Sequence, residues 1–137
     1  MVQWFECQNH TALDALFQAL RRIKDRAQDD DGVYQYLVEG LGRDDFMAWL
    51  GKDDKGTAAA ATCSLDRDPR LGLYGFVGYA WVRPDCEAGP ELMKMVERWV
   101  KGKGGGAVGM ITSRNPIPFC KKYDFKIQRT FLAKGVA

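Results

Sequence analysis

The stretch Gly75-Phe-Val-Gly-Tyr-Ala-Trp-Val-Arg-Pro84 is where the fold of this chain is decided. With Tyr74 it forms a run of aromatic and valine residues closed by Pro84, which reads as a strand over 74–82. Glycine weakens a strand, so Gly75 and Gly78 imply a bulge or the close approach of a neighbour. Beyond Pro84 the period changes. Pro90 and Glu91 suit a first helical turn, and Leu92, Met95, Val96 and Trp99 recur on one side until Gly102–Gly106. Gly104-Gly105-Gly106 lacks the following helix and the Lys-Ser/Thr pair of a phosphate loop, so it reads as a connection. A strand over Ala107–Thr112, a short helix over Ile117–Tyr123 and one or two strands over Phe125–Ala133 complete this half.

Working towards the N-terminus, Phe46–Leu50 and Thr57–Leu65 flank the turn Lys52-Asp-Asp-Lys-Gly56 and read as a hairpin. Ala58–Ala61 has helical propensity, but its flanks and length favour a strand. Leu13, Leu16, Phe17, Leu20 and Ile23 recur at helical spacing, with Asn9 or Thr11 as the cap and Arg21, Arg22, Lys24 and Arg26 opposite. Asp29-Asp30-Asp31-Gly32 reads as a break before a second helix ending near Gly40 or Gly42. Val2–Cys7 reads as an edge strand. The order is strand, two helices, three strands, helix, strand, helix, then one or two strands.

Composition narrows the class. The chain has 137 residues, 46% hydrophobic and 28% charged, enough apolar content for one domain over 1–137 and too much for intrinsic disorder. No stretch approaches about 20 uncharged apolar residues, which excludes a membrane span. Twenty basic against eighteen acidic residues argue against a dedicated nucleic-acid binder. The start MVQWFECQNH lacks a signal-peptide pattern, so the expected location is the cytoplasm. Cys7, Cys63, Cys86 and Cys120 form no CxxC pair and His10 is the only histidine, which argues against disulfide, zinc and histidine chemistry.

The second half, about residues 44–134, resembles the GNAT N-acetyltransferase superfamily. The resemblance rests on the 75–84 stretch with its Val82-Arg83-Pro84 signature, on Gly89-Pro-Glu-Leu-Met93, on Ala107–Asn115, and on Phe119-Cys-Lys-Lys-Tyr-Asp-Phe125. It implies an α/β (α+β) fold with a mixed, mostly antiparallel sheet and about four helices. It also implies an acetyl-CoA-dependent N-acyltransferase moving an acetyl group to an amine of a small molecule or a protein. Within the resemblance, Trp81, Val82, Arg83, Gly89, Pro90, Glu91, Asn115 and Phe119 fall at cofactor-binding positions. Cys120 stands where the family commonly has the tyrosine that protonates the departing thiolate, and Tyr123 is the other candidate donor.

Physical chemistry gives those positions their sense. Free N–H groups at a helix N-terminus suit a diphosphate, and backbone groups of a splayed strand suit a polarised thioester carbonyl. Two departures carry consequences. Asp85, Glu87 and Glu91 crowd the place of the diphosphate, where like charges repel. No Glu or His lies in the central strand to deprotonate an amine, which leaves Glu39, Asp44, Asp45 and Asp66 or a water chain. Such divergent short chains resemble those of tailed bacteriophages, so a catalytically inactive binding or structural protein, a virion or host-takeover component in the host cytoplasm, is the alternative reading. Oligomeric state is not readable from the sequence.

Overall fold

A computed structural model describes residues 1–24, 26, 28–112, 117–129 and 132–136. The elements in order are β1 (Gln3–Cys7), a 3-10 turn (His10–Ala12), α1 (Leu13–Leu20), α2 (Asp30–Gly40), β2 (Phe46–Asp53), β3 (Gly56–Asp68), β4 (Gly72–Val82), α3 (Gly89–Gly102), β5 (Ala107–Gly109) and α4 (Ile117–Tyr123). The five strands form one sheet in the order β1-β2-β3-β4-β5. Among the described residues only the β4–β5 pair is parallel. This is the mixed, mostly antiparallel α+β architecture that the resemblance implies.

The sheet is the middle layer, and strand alternation divides the core between its faces. Ala48, Leu50, Ala60 and Tyr79 face Leu16, Leu20, Val33 and Leu37 of α1 and α2. Met47, Trp49, Ala59, Ala61 and Val77 face Leu92, Val96 and Val100 of α3. The alanine block is a strand because β3 lies between β2 and β4 and is buried on both faces, where small side chains let both helical layers approach.

Several boundaries differ from the sequence reading. Asn9, rather than Thr11, caps the 3-10 turn: its side chain accepts from the Thr11 N–H at 3.0 Å. α1 stops at Leu20, and Ile23 follows in a turn whose N–H bonds back to the Leu20 carbonyl at 3.1 Å. The acidic run starts α2 as well as separating it from α1. Asp29 caps it, accepting from Gly32 N–H at 2.8 Å, and Asp30 and Asp31 sit at the favourable positive end of its dipole. β5 spans three residues rather than six. No strand forms among the described residues of 125–133. So short a β5 offers little edge to pair with, and Ile127 and Leu132 stay exposed.

Both glycine readings hold, one at each position. Thr62 faces Tyr79 and Cys63 faces Val77, so Gly78 is the extra residue of a β-bulge. The Thr62 hydroxyl fills the gap, accepting from Tyr79 N–H at 3.1 Å and lying 2.9 Å from the Tyr36 hydroxyl. At Gly75 a side chain would collide with Val100 of α3 and stand 2.8 Å from the Cys63 sulfur.

Candidate functional site

The site is built where β4 outruns its parallel partner. β5 pairs with Tyr74, Gly75 and Phe76 only, while β4 continues to Val82. Arg83 N–H donates to the Ala58 carbonyl of β3 at 2.8 Å, and Tyr79 N–H points to Thr62 on the same side. Successive amides alternate in a strand, so those of Ala80 and Val82 point to the opposite edge, where no described strand pairs with them. Along that edge Ala80 is exposed and Val82 half-buried.

α3 begins beside this edge. Ala88 and Gly89 are buried, no side chain caps the helix, and Pro90 stands in the first turn, exposed like Glu91. The amides of Gly89 and Glu91 precede the first intrahelical bond, made by Leu92 N–H to the Ala88 carbonyl at 3.0 Å. Tyr123, at the end of α4, brings its hydroxyl over Gly89, into the space a side chain there would take. Val82 Cγ2 lies 4.0 Å from the same point. Three of the residues singled out in the sequence thus meet: Val82, Gly89 and Tyr123. Cys120 is half-buried one turn earlier in α4, Phe119 falls within that helix, and Asn115 lies outside the described residues.

Arg83 is committed to other carboxylates. Its guanidinium binds both carboxylate oxygens of Asp53, with Nη1 donating to Oδ1 at 3.1 Å, and Nε donates to Asp85. It also donates to the Thr57 carbonyl at 3.3 Å. The cluster ties the β2–β3 turn to the end of β4. Hydrogen bonding to Arg83 is the main cause that brings Asp53 down to about 2, and it also lowers Asp85; Arg83 is raised in return. Lys55 Nζ lies 3.5 Å from Asp85. Asp85, one of the three acids beside α3, therefore shares Arg83 with Asp53 and also meets Lys55, so the two carboxylates are balanced by two cations, while Glu87 and Glu91 are exposed.

On the other face of β4, Trp81 packs against the α1–α2 core cluster with the Arg22 guanidinium 5.1 Å from its ring centroid. The Tyr79 hydroxyl donates to the Gln28 side chain. Asp45 and Asp66 lie by register at the far end of the sheet: Leu65 N–H bonds the Asp45 carbonyl, and Asp66 faces Tyr74. Asp44 adjoins Asp45, and Glu39 ends α2 before that same edge, bonded to Gln35 at 2.9 Å. None of these four acids reaches the open end of β4. Among the described residues no cluster of three potential metal ligands exists, and no helix is long and apolar enough to cross a membrane.

The Asp53–Arg83 pair and the Arg22–Trp81 cation–π contact are not visible in the sequence. The charged turn at 52–55 was visible, but its partner lies thirty residues away.

No family model matches the sequence, and no curated protein matches it significantly. Solved structures do. Aminoglycoside N-acetyltransferase AAC(6′)-Iy, in complex with the bisubstrate analog CoA-S-monomethyl-acetylneamine, superposes with a TM-score of 0.80 at 17% identity, over 100% of this chain and 99% of that one. A predicted acetyltransferase from Clostridium acetobutylicum, solved with acetyl-CoA, gives 0.74 at 17% identity over 98% and 96%. A GCN5-related N-acetyltransferase from Ralstonia eutropha gives 0.76 at 12% identity over 99% of both chains. The fold is that of the GNAT acetyltransferases; at these identities the likeness is one of fold.

Proposed function

We propose that the chain is an acetyl-CoA-dependent N-acetyltransferase acting on an amine. The observation that carries this is the edge of β4 at Ala80–Val82, which no described strand pairs, beside the uncapped start of α3, with Tyr123 over Gly89. The fold likeness to structures holding acetyl-CoA or a CoA analog supports it. The residues present fit such a ligand. Gly89 and Glu91 offer amides to a diphosphate, although Pro90 withholds one, and Asp85 is already paired with Arg83 and Lys55.

Acetyl-CoA supplies the acetyl group as a thioester. The Ala80 and Val82 amides hold the arm and polarise the carbonyl, a role that preorganised backbone donors fill at little reorganisation cost. The amine nitrogen bonds the carbonyl carbon, the carbon–sulfur bond breaks, and the amine's proton leaves to water. Tyr123 gives its hydroxyl proton to the thiolate and recovers one from solvent. We assign this to Tyr123 rather than Cys120 because the Tyr123 hydroxyl reaches the junction of β4 and α3.

Calorimetric titration with acetyl-CoA and with CoA tests the reading, and binding of both is expected. No binding at millimolar ligand would overturn it. Y123F should lower turnover by about a hundredfold with affinity nearly intact, within the usual range for a general acid. If C120A is the variant that loses turnover, the proton donor is Cys120.

A further inference from the structure

We infer that the acceptor is an amine that also carries an anionic group, a carboxylate or phosphate, and that Arg22 selects it; this rests on the transferase reading above. Val82 turns towards α3 and Trp81 towards α1 and α2. The diphosphate lies at the start of α3, on the Val82 face of β4, and the acceptor approaches the edge from the opposite face, that of Trp81. There the Arg22 guanidinium lies over the Trp81 ring. A guanidinium held against a ring by cation–π attraction keeps N–H donors for a carboxylate or phosphate. Arg22 is exposed and has no ion pair among the described residues.

The surrounding charges point the same way. Arg21 and Arg26 both bind Asp30, so two cations share one carboxylate. Asp29 is occupied as the cap of α2, and Asp31 stands in that helix's first turn, at the positive end of its dipole. Tyr79 and Gln28 satisfy each other. Among the described residues, none brings an unpaired carboxylate against Trp81. A cation with no ion pair among the described residues, on the face from which the acceptor approaches, attracts an anionic group and repels a second ammonium, so a polycationic amine is the disfavoured acceptor.

The test compares three amines of matched length, 4-aminobutanoate, 4-aminobutan-1-ol and 1,4-diaminobutane, by release of free CoA thiol, after calorimetry has measured acetyl-CoA binding on the same sample. Native protein should prefer the amino acid over the diamine by about tenfold or more in kcat/KM, the scale of one charged hydrogen-bonded contact. R22Q should remove the preference mainly through KM, R22E should reverse it, and melting curves should match the native chain. Failure to bind acetyl-CoA overturns the proposed function itself. Binding with no faster turnover of the amino acid than of the diamine overturns this inference alone, as does an unchanged preference in R22Q.

Discussion

The hydroxyl of Tyr123 occupies the space that a side chain on Gly89 would need, so the last turn of α4 and the first turn of α3 meet only because residue 89 is glycine. G89A should separate stability from activity. The added methyl meets the far end of a side chain that can swing away, so stability should change by no more than about 0.5 kcal/mol. The displaced hydroxyl should cost about tenfold or more in kcat, since proton transfer requires hydrogen-bond reach. Urea melts and thiol-release kinetics on one preparation check this, and an unchanged kcat would count against the assignment of Tyr123.

Arg83 lies within the Val-x-Pro signature, yet what it holds is Asp53 and Asp85. R83Q should leave Asp85 with Lys55 alone, 3.5 Å away, beside the start of α3. Affinity for CoA should fall about three- to tenfold, with a steeper loss at low salt, where like charges are least screened. The pH dependence has a definite sign. Asp53 is held at about 2, below its unfolded value, so its contribution is present above about pH 4 and lost as pH falls through 2. D53N should therefore flatten the acid limb of the stability profile.

What was legible in the sequence is what local pattern encodes. The β2–β3 hairpin, β4 and α3 follow from alternation, turn residues and helical spacing within each segment. Asp29–Asp31 reads only as a break, because aspartate both ends one helix and caps the next, and the Asp29 bond to Gly32 that makes it a cap is not visible in the sequence. The segment after Asp124 reads as strand from Phe125 and Ile127, but a strand needs an edge, and β5 ends at Gly109. At the site, Val82, Gly89 and Tyr123 could be named in advance, whereas Arg83 could be named only as a position. Its partner Asp53 stands in a turn thirty residues away, and register alone brings them together.

At Gly75 α3 approaches the sheet too closely for any side chain. G75A would push a methyl into Val100 and the Cys63 sulfur, neither of which has room to move in a core where both are nearly inaccessible. Overpacking of this kind costs about 1–3 kcal/mol. The double variant G75A/V100A should recover part of that loss, because it removes the colliding methyls. Additive losses in chemical denaturation would show that the strain lies elsewhere.

Groups whose pKa burial raises make the fold labile to alkali, Cys63 and Tyr36 most strongly. Burial pushes Cys63 up to about 12, and it pushes Tyr36 to about 12 against the smaller opposing effect of its bond to Thr62. Both pKa values are higher in the folded chain than in the unfolded one, so folding retains protons that the unfolded chain has released. Stability is whole below the unfolded values and falls as pH rises. The fall begins near pH 9 with Cys63, at about 1.4 kcal/mol per pH unit, and steepens above about pH 10 as Tyr36 joins it. C63A should be less stable at neutral pH, because it leaves a small cavity, yet decline less steeply than the native chain between pH 9 and 10, its remaining slope coming from Cys7, which burial also raises. Denaturation midpoints measured from pH 8 to 11 decide it. If native chain and variant fall in parallel from pH 9, the loss does not come from Cys63.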